Sequence, residues 1–214
     1  MITIERLVFN PFQENTYFVY DETLKCAIID PGCSDRWEND ELDKFVKSKG
    51  LQPVAHLYTH CHLDHVFGIA HVHRKYGLLP VMHPESVKIL QTAPAQSRMF
   101  GVDAEEIIEP ESFINEGDNI QIGNSVLEVL YTPGHVDGHV CFVSHEGRFV
   151  IAGDVLFNGS IGRTDLPTGD FDMLAENIRQ KLYTLPADYL VYPGHGPHTT
   201  IGHEMNTNPF VRAI

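Results

Sequence analysis

The stretch THCHLDHVFG, residues 59–68, places three histidines and one aspartate within six consecutive positions. It follows an apolar run, PVAHLY, that predicts a strand, and it precedes a run that predicts a helix. His60 and His62 are two residues apart at the end of the predicted strand, so their side chains point to the same side and can share one metal ion. Asp64 and His65 follow a change of direction into the helix, where they can reach a second point nearby. Asp64 would lie at the positive N-terminal end of that helix, which favours an ionised carboxylate.

Three further ligand-type residues each follow an apolar strand. TPGH places His135 after SVLEVLY, AGD places Asp154 after RFVI, and PGHG places His195 after DYLVY. Sites assemble at strand ends in layered α/β folds, and the neighbouring glycines permit unusual backbone geometry. Singly, His135 is also compatible with a turn and Asp154 with a helix cap. Together with the first cluster, they favour a metal site over a set of helix caps and core histidines.

The first half of the chain alternates strands and helices. Residues 1–31 predict three strands, and a helix around Leu42 ends at Gly50. The strand before the metal motif is followed by a helical pattern over Val66–Tyr76. A short strand at LPVMHP and a helical region, broken by proline, from about Pro84 to Glu106 complete this half.

The second half repeats this order. Four strand-like segments precede a helix whose apolar residues run from Phe171 to Leu182 behind Asp170, a good N-cap, and DYLVYPG predicts the final strand. This pattern predicts a layered α/β protein built from two similar halves. The sequence has no evident linker, repeat or low-complexity run, so we expect residues 1–214 to form a single domain.

Composition narrows the functional classes. The net charge of −14, from 29 acidic and 15 basic residues, argues against binding to nucleic acid or an anionic membrane surface. The first residues do not resemble a signal peptide, and no apolar stretch approaches 18 residues. Four cysteines without paired short spacing predict buried thiols in a reducing compartment. We therefore expect a cytoplasmic protein; the sequence leaves its oligomeric state open.

The order HCHLDH, TPGH, GD and PGHG resembles the motifs of the metallo-β-lactamase superfamily of metal-dependent hydrolases, over nearly the whole chain. The resemblance implies a four-layer αββα sandwich, with two β-sheets between helices. It also implies two divalent metal ions, with Asp154 bridging both. By position, the ligands would be His60, His62 and His135 for the first ion, and Asp64, His65 and His195 for the second.

Seven ligands leave coordination positions open on two ions, which is typical of a catalytic site rather than a structural one. Two cations that share a water generate hydroxide near neutral pH and polarise a carbonyl. The predicted reaction is therefore hydrolysis of an activated acyl group by metal-bound hydroxide, with Asp64 orienting the hydroxide as well as binding metal. A thioester suits this chemistry because its thiolate departs without a dedicated general acid. Zinc is the first expectation, although iron or manganese also suits these ligands.

The segment GDVLFNGSIGRTDLPTGD, residues 153–170, and the tail GHGPHTTIGHEMNTNPFVR resemble small bacterial glyoxalase II-like proteins. This resemblance implies a small-molecule thioester substrate such as S-lactoylglutathione, with Arg163 directed toward the glutathione carboxylate. The structural alternative is that Arg163 pairs with Asp165 and only holds the loop. Since 19 residues follow His195, we expect the C-terminal helical domain of full-length glyoxalase II to be absent, which leaves other acyl-thiols open as substrates.

Two other functions remain open at this point. Persulfide dioxygenases share the fold, the HCHxDH sequence and a GRTD loop, and they use one iron on the equivalents of His60, His135 and Asp154. The complete second ligand set, including PGHG, favours the hydrolase. A module that binds metal without catalysis is disfavoured because all seven ligands are present.

Several residues near the motifs receive no ligand role. His139 is expected to lie behind the ligands or in a turn, and Cys61 to point away from its histidine neighbours. Asn10 and Gln13, in NPFQEN, resemble a turn of the family without an assignable role.

Overall fold

The first six strands form one mixed sheet, in which strands that follow each other in the chain are also neighbours. The structure is a computed structural model that describes residues 1–100 and 106–213. The first three strands pair antiparallel, and the next three extend the sheet in parallel. The strands are β1 (Thr3–Phe9), β2 (Glu14–Tyr20), β3 (Lys25–Ile29), β4 (Gln52–Leu57), β5 (Val81–Met82) and β6 (Ser112–Phe113).

Six later strands form a second sheet, and two short strands form a separate hairpin. The strands after β6 are β7 (Asn119–Ile122), β8 (Ser125–Tyr131), β9 (Val140–Ser144), β10 (Phe149–Gly153), β11 (Leu156–Phe157), β12 (Ser160–Ile161), β13 (Leu190–Pro193) and β14 (Thr199–Thr200). Their order in the second sheet is β14-β13-β10-β9-β8-β7, in which β10 and β13 are parallel and the other neighbours are antiparallel. The hairpin consists of β11 and β12 and lies between β10 and β13 in the chain.

The helices lie between strands or after the last one, and in the described part of the chain none is long and apolar enough to cross a membrane. The first helix ends as predicted, with Gly50 in a left-handed conformation; at its start, Asp35 accepts hydrogen bonds from two backbone N–H groups. The helices are α1 (Arg36–Lys49), α2 (Leu63–Val66), α3 (Ile69–Tyr76), α4 (Ser86–Leu90), α5 (Ala93–Phe100), α6 (Phe171–Asn177) and α7 (Ile201–Thr207).

The two sheets pack face to face and helices cover their outer faces. Between the sheets, Tyr17 and Ile29 of the first sheet share a core with Phe142 and Ile151 of the second. Because successive strand residues face opposite sides, Phe18 and other neighbours of these residues face outward, toward the helices.

Each sheet has its own helical layer. Ile28 of the first sheet packs with Leu42 of α1 and Val72 of α3. Val150 of the second sheet packs with Leu174 of α6. The predicted four-layer αββα sandwich is confirmed.

The prediction of one continuous helix over Val66–Tyr76 is wrong, because α2 ends at Val66 and α3 begins at Ile69. At the break, the backbone N–H of Gly68 donates to the carbonyl of Pro31 at 2.8 Å. A Cβ at Gly68 would collide with Cys33 Sγ and with the Pro31 carbonyl oxygen. The break therefore comes from a close contact with the segment after β3, which the local apolar pattern does not reveal.

Three other boundaries differ from the prediction. The helix after Asp170 is α-helical only to Asn177 and continues as a π-helical segment over Ile178–Leu182. The strand at DYLVYPG is not the last, because β14 pairs with it and α7 follows. The helical region predicted from about Pro84 to Glu106 contains α4 and α5, and its residues 101–105 lie outside the described residues.

Candidate metal centre

The seven predicted ligand residues follow the ends of four strands; Asp64 and His65 lie in the short helix α2, and the other five lie outside the named helices and strands. His60, His62, Asp64 and His65 come after β4, which ends at Leu57. The prediction that the first two histidines lie on the strand itself is therefore wrong, because His62 is the extended residue before α2. The remaining ligand residues follow β8, β10 and β13 and are His135, Asp154 and His195.

A first group consists of His60, His62 and His135. One ring nitrogen of each lies within 4.8 Å of the others, close enough for one ion to contact all three. His135 Nε2 is 2.9 Å from His62 Nδ1, and the ring centroids of His60 and His62 are 4.9 Å apart. The three rings come from both sheets of the sandwich.

A second group consists of Asp64, His65 and His195, whose ligand atoms also lie within 4.8 Å of one another. Asp64 Oδ2 is 3.1 Å from His195 Nε2 and 3.7 Å from His65 Nε2. These three residues combine the short helix α2, which follows β4, with a loop of the second sheet.

Asp154 lies between the two groups. Its Oδ2 is 3.6 Å from His135 Nε2, in the first group, and 3.6 Å from His195 Nε2, in the second. Its Oδ1 is 3.6 Å from His65 Nε2. A carboxylate in this position can contact an ion in each group.

Buried side-chain atoms without a hydrogen-bond partner indicate whether these residues fit metal ions. His60 Nε2, His65 Nε2 and Asp154 Oδ1 are buried and have no hydrogen-bond partner. Buried polar atoms without a partner carry a desolvation cost, which coordination to a cation would remove. Imidazole and carboxylate donors also suit zinc, iron and manganese, so the residues fit the metal centre that the motifs predict.

The electrostatics of the three histidines in the first group agree with this fit. Burial lowers the pKa of His62 to about 3 and that of His135 to about 4, and it lowers the pKa of His60 well below its ordinary value. The first group is therefore neutral at pH 7, which is the form of imidazole that binds a metal. In the second group, burial raises the pKa of Asp64, but His65 and the hydrogen bond from His195 outweigh it and lower that pKa, so the carboxylate is ionised.

Comparison with known proteins assigns the family: residues 9–195 match the metallo-beta-lactamase superfamily. The chain belongs to the metallo-beta-lactamase superfamily. Among its curated relatives is a hydroxyacylglutathione hydrolase, GloC, of Haemophilus influenzae, 36% identical over 214 residues, with 99% of each chain covered. The persulfide dioxygenase ETHE1 of Bos taurus is 33% identical, over 91% of this chain and 70% of its own.

The solved structure of TTHA1623 in a di-iron-bound form is 37% identical to this metallo-beta-lactamase superfamily member, with a TM-score of 0.87. It covers 97% of this chain and 100% of its own. The family match and the relatives confirm the predicted superfamily and the predicted similarity to glyoxalase II-like proteins. With its His/Asp cluster, the chain is a metal-binding enzyme of that superfamily.

In this superfamily member, His139 lies directly behind the candidate ligands. Its Nε2 accepts a hydrogen bond from the backbone N–H of Asp154 at 3.1 Å, and its Nδ1 is 3.2 Å from Thr132 Oγ1. Its ring stacks on that of His60, with centroids 4.8 Å apart. His139 therefore contacts two candidate ligands, Asp154 and His60, and the prediction that it lies behind the ligands or in a turn is confirmed in its first form. Cys61 also behaves as predicted, because its Sγ contacts Met82 Sδ at 3.4 Å.

Two buried acidic residues near the metal centre were not predicted from the sequence. Asp30 accepts a hydrogen bond from the Thr59 N–H at 2.7 Å, and its Oδ2 is 3.2 Å from His65 Nδ1. Its only signal was the turn after β3. Glu14 is fully buried, and its Oε1 lies 4.0 Å from His65 Nδ1 without a hydrogen-bond partner. Glu14 lies on β2, and no local pattern distinguishes it from an ordinary strand residue.

A pocket of about 660 Å³ opens beside the candidate ligands. The ligand residues form one side of it, and most of its remaining wall is apolar. The apolar wall is formed by Phe12, Leu63, Ile89, Met99, Phe157, Ile161, Leu166 and Pro167. Three polar residues, Thr92, Gln96 and Arg163, also line it, so the pocket can hold a largely apolar group against the metal centre.

Arg163 is connected to both the pocket and the first group. Its carbonyl oxygen accepts a hydrogen bond from His135 Nδ1 at 2.7 Å, which fixes the orientation of that ring. Its exposed guanidinium donates to Asp165 through Nε at 2.8 Å and Nη2 at 2.7 Å. The pair that the sequence offered as the structural alternative is thus present.

Proposed function

We propose that this protein is a metal-dependent thioester hydrolase that cleaves S-acylglutathiones such as S-lactoylglutathione. The observation that carries the proposal is the pocket, which places a two-group His/Asp cluster against an apolar wall and one arginine. The similarity to a hydroxyacylglutathione hydrolase over the full chain supports it.

Two divalent ions would be held by the two groups of residues, with Asp154 contacting both. When bound, such ions lower the pKa of water toward neutrality and polarise the substrate carbonyl. We propose zinc as the resident metal, with iron and manganese as alternatives that the same ligands accept. A di-iron-bound neighbour of the same fold makes iron a serious alternative.

The chain's own residues would position the reactants. The ionised carboxylate of Asp64 lines the pocket and would accept a hydrogen bond from the attacking water, which orients it toward the carbonyl. The apolar wall would exclude bulk water from the acyl group. In the described residues, the pocket wall contains no cysteine, lysine or tyrosine that could serve as a general acid. A thioester does not need one, since a thiol is acidic enough to leave as a thiolate.

Arg163 would bind a carboxylate of the thiol portion. Its bond to Asp165 uses Nε and Nη2, so Nη1 is not part of the pair and can donate to a substrate. The overall charge of −14 gives an anionic tripeptide little long-range attraction, so recognition would depend on this local contact.

The test begins with metal-free protein that is reconstituted separately with zinc, iron and manganese. Metal per chain is measured by elemental analysis, alongside hydrolysis of S-lactoylglutathione. We expect two metals per chain and hydrolysis that is lost in Asp64→Asn, which retains the shape of the side chain. A protein that retains two metals without hydrolysing any acyl-thiol would contradict the proposal.

A second candidate is persulfide dioxygenase activity, which the similarity to ETHE1 favours. Two histidines and one carboxylate, His60, His135 and Asp154, provide the ligand set that suits a single iron and O₂. Uptake of O₂ with glutathione persulfide, at one iron per chain and without thioester hydrolysis, would establish this activity in place of the hydrolase.

A further inference from the structure

Residues 10–15 comprise the turn between β1 and β2 and the first two residues of β2. None of them is a predicted metal ligand, and their backbone is unusual. Asn10 and Gln13 have positive φ angles of 54° and 57°. Asn10 Oδ1 accepts the N–H of Phe12 at 2.9 Å, and the carbonyl of Asn10 accepts the N–H of Gln13 at 3.0 Å, which closes the turn. Asparagine tolerates this conformation better than most residues. We call residues 10–15 the hairpin turn.

One end of the hairpin turn is bonded to the metal motif. The buried amide of Asn10 donates to the carbonyl of Asp64 at 2.9 Å and to the carbonyl of Gly32 at 3.0 Å. The first of these bonds fixes the backbone of a candidate ligand. A Cβ at Gly32 would collide with Asn10 Nδ2 and with the Asp64 carbonyl oxygen, so the contact depends on glycine there.

The other end of the hairpin turn holds the loop that carries His195. The amide of Asn15 donates to the carbonyls of Pro193 and Gly196, at 2.8 Å and 2.9 Å, one on each side of His195. The backbone N–H of Asn15 donates to Gly194 at 2.7 Å. Within the turn, the carbonyl of Phe12 accepts a hydrogen bond from His195 Nδ1 at 3.1 Å, which fixes the ring itself.

The first group of ligands is supported by other parts of the chain. His135 is oriented by the Arg163 carbonyl, and His60 Nδ1 lies 3.1 Å from Thr59 Oγ1. In the described residues, the hydrogen bonds of Asn10 and Asn15 reach none of His60, His62 and His135.

We infer that the hairpin turn is the positioning element of the second metal site: Asn10 and Asn15 hold Asp64 and His195 at ligand distance and so determine whether a second ion is retained. The inference rests on the proposed two-metal centre. It predicts that loss of either amide weakens retention of the second ion while the first remains bound. Loss of a hydrogen-bonded partner behind a ligand lowers metal affinity by about 10–100-fold.

The test compares variants that each delete one side-chain amide. Asn10→Gly tolerates the positive φ, and Asn15→Ala suits an extended strand. Asn177→Ala is the matched control, because Asn177 Nδ2 donates to the Pro133 carbonyl at 2.9 Å, beside the loop of His135. Each full-length protein is loaded with Co²⁺ and dialysed against graded chelator. Metal per chain and the visible spectrum are then measured.

The spectra identify which ion is lost. His195→Ala provides the reference spectrum of a protein that lacks a ligand of the second group. His62→Ala provides the corresponding spectrum for the first group. We expect Asn10→Gly and Asn15→Ala to release one ion at about 10–100-fold lower chelator concentration than the unmodified protein and then to show the His195→Ala spectrum. Asn177→Ala should keep the second ion. Equal retention in all three variants, or loss of the first ion in the turn variants, would overturn the inference.

Two further observations separate misfolding and failure of the proposed function from failure of this inference. Tyr17→Phe deletes only the hydroxyl, which donates to the Pro193 carbonyl at 2.6 Å, and it retains the buried ring. It should shift release of the second ion in the same direction by up to about tenfold, even if an amide variant does not fold. An unmodified protein that retains only one ion would overturn the inference as well. Two retained ions without thioester hydrolysis would contradict only the proposed function.

Discussion

Replacing Gly194 by alanine would place a methyl group directly into the candidate metal centre. Gly194 lies just before His195, and a Cβ built on it would collide with Asp154 Oδ1 and lie 2.8 Å from His65 Cε1. Real Cβ atoms essentially never approach heavy atoms closer than 3.0 Å, so these side chains would have to move. The backbone of Gly194 does not have a positive φ, so alanine adds a steric effect without backbone strain.

The size of the effect follows from the geometry. Moving the Asp154 carboxylate out of contact requires a shift of about 1 Å, twice the tolerance of about 0.5 Å within which a catalytic constellation must be held. A displacement of that size costs about 100-fold in rate, and overpacking a close-packed interior costs about 1–3 kcal/mol of stability. We therefore expect Gly194→Ala to lose about 100-fold in kcat/KM and to release metal more readily, while it still folds.

The assay measures kcat/KM for S-lactoylglutathione and metal retention against a chelator, with thermal unfolding to follow stability. Gly77→Ala is the control, because Gly77 ends α3 with a φ of 69° and a Cβ there would meet no atom within 4 Å. It should lose about 1 kcal/mol of stability through backbone strain and no metal. If Gly194→Ala kept both metals and a kcat/KM within about threefold of the unmodified protein, the bridging position of Asp154 would be refuted.

Three further predictions concern residues around the centre. His139→Leu removes the acceptor of the Asp154 N–H, so we expect about 10–100-fold weaker metal retention in chelator competition, and unchanged retention would refute its supporting role. If Arg163 binds the thiol portion of the substrate, Arg163→Ala should raise KM for S-lactoylglutathione about tenfold at similar kcat. Asp165→Ala, which frees the guanidinium, should not raise KM. An equal rise of KM in both variants would mean that Arg163 only holds the loop. Burial lowers the pKa of His56 to about 3 from 6.5, so between these pH values the unfolded chain binds a proton that the folded chain excludes, and stability falls as the pH falls. In urea unfolding of metal-free protein, His56→Phe should remove up to about 1.4 kcal/mol per pH unit from that slope, and an unchanged slope would contradict the reasoning.

The parts of the site that the sequence predicted are those encoded by short, local patterns. Apolar runs predicted the strands, and the polar residues that follow them made His135, Asp154 and His195 candidates, which the family motifs TPGH, GD and PGHG then assigned as ligands. The close spacing in HCHLDH identified the remaining ligand residues. The structure brings all seven together, and their role as metal ligands stays a prediction that elemental analysis can test.

The parts that the sequence did not predict depend on contacts between distant segments. Glu14 and Asn15 look like ordinary strand residues until the fold places them against His65 and the loop of His195. The break before α3 arises because Gly68 touches the segment after β3, a contact that no helical period encodes. Local patterns report which face of an element is apolar, whereas such contacts depend on how the elements pack.

The candidate ligands follow strands of both sheets: four residues lie in the segment after β4, which includes α2, and three lie in loops of the second sheet. Ions bound between them would act as a cross-link that joins the two halves of the sandwich, as a disulfide does in many secreted domains. Unlike a disulfide, this cross-link would open when metal is withdrawn or when acid protonates the histidines. The free energy that holds the two halves together would then depend on the concentration of free metal around the protein, so a cell short of metal would lose folded protein as well as activity.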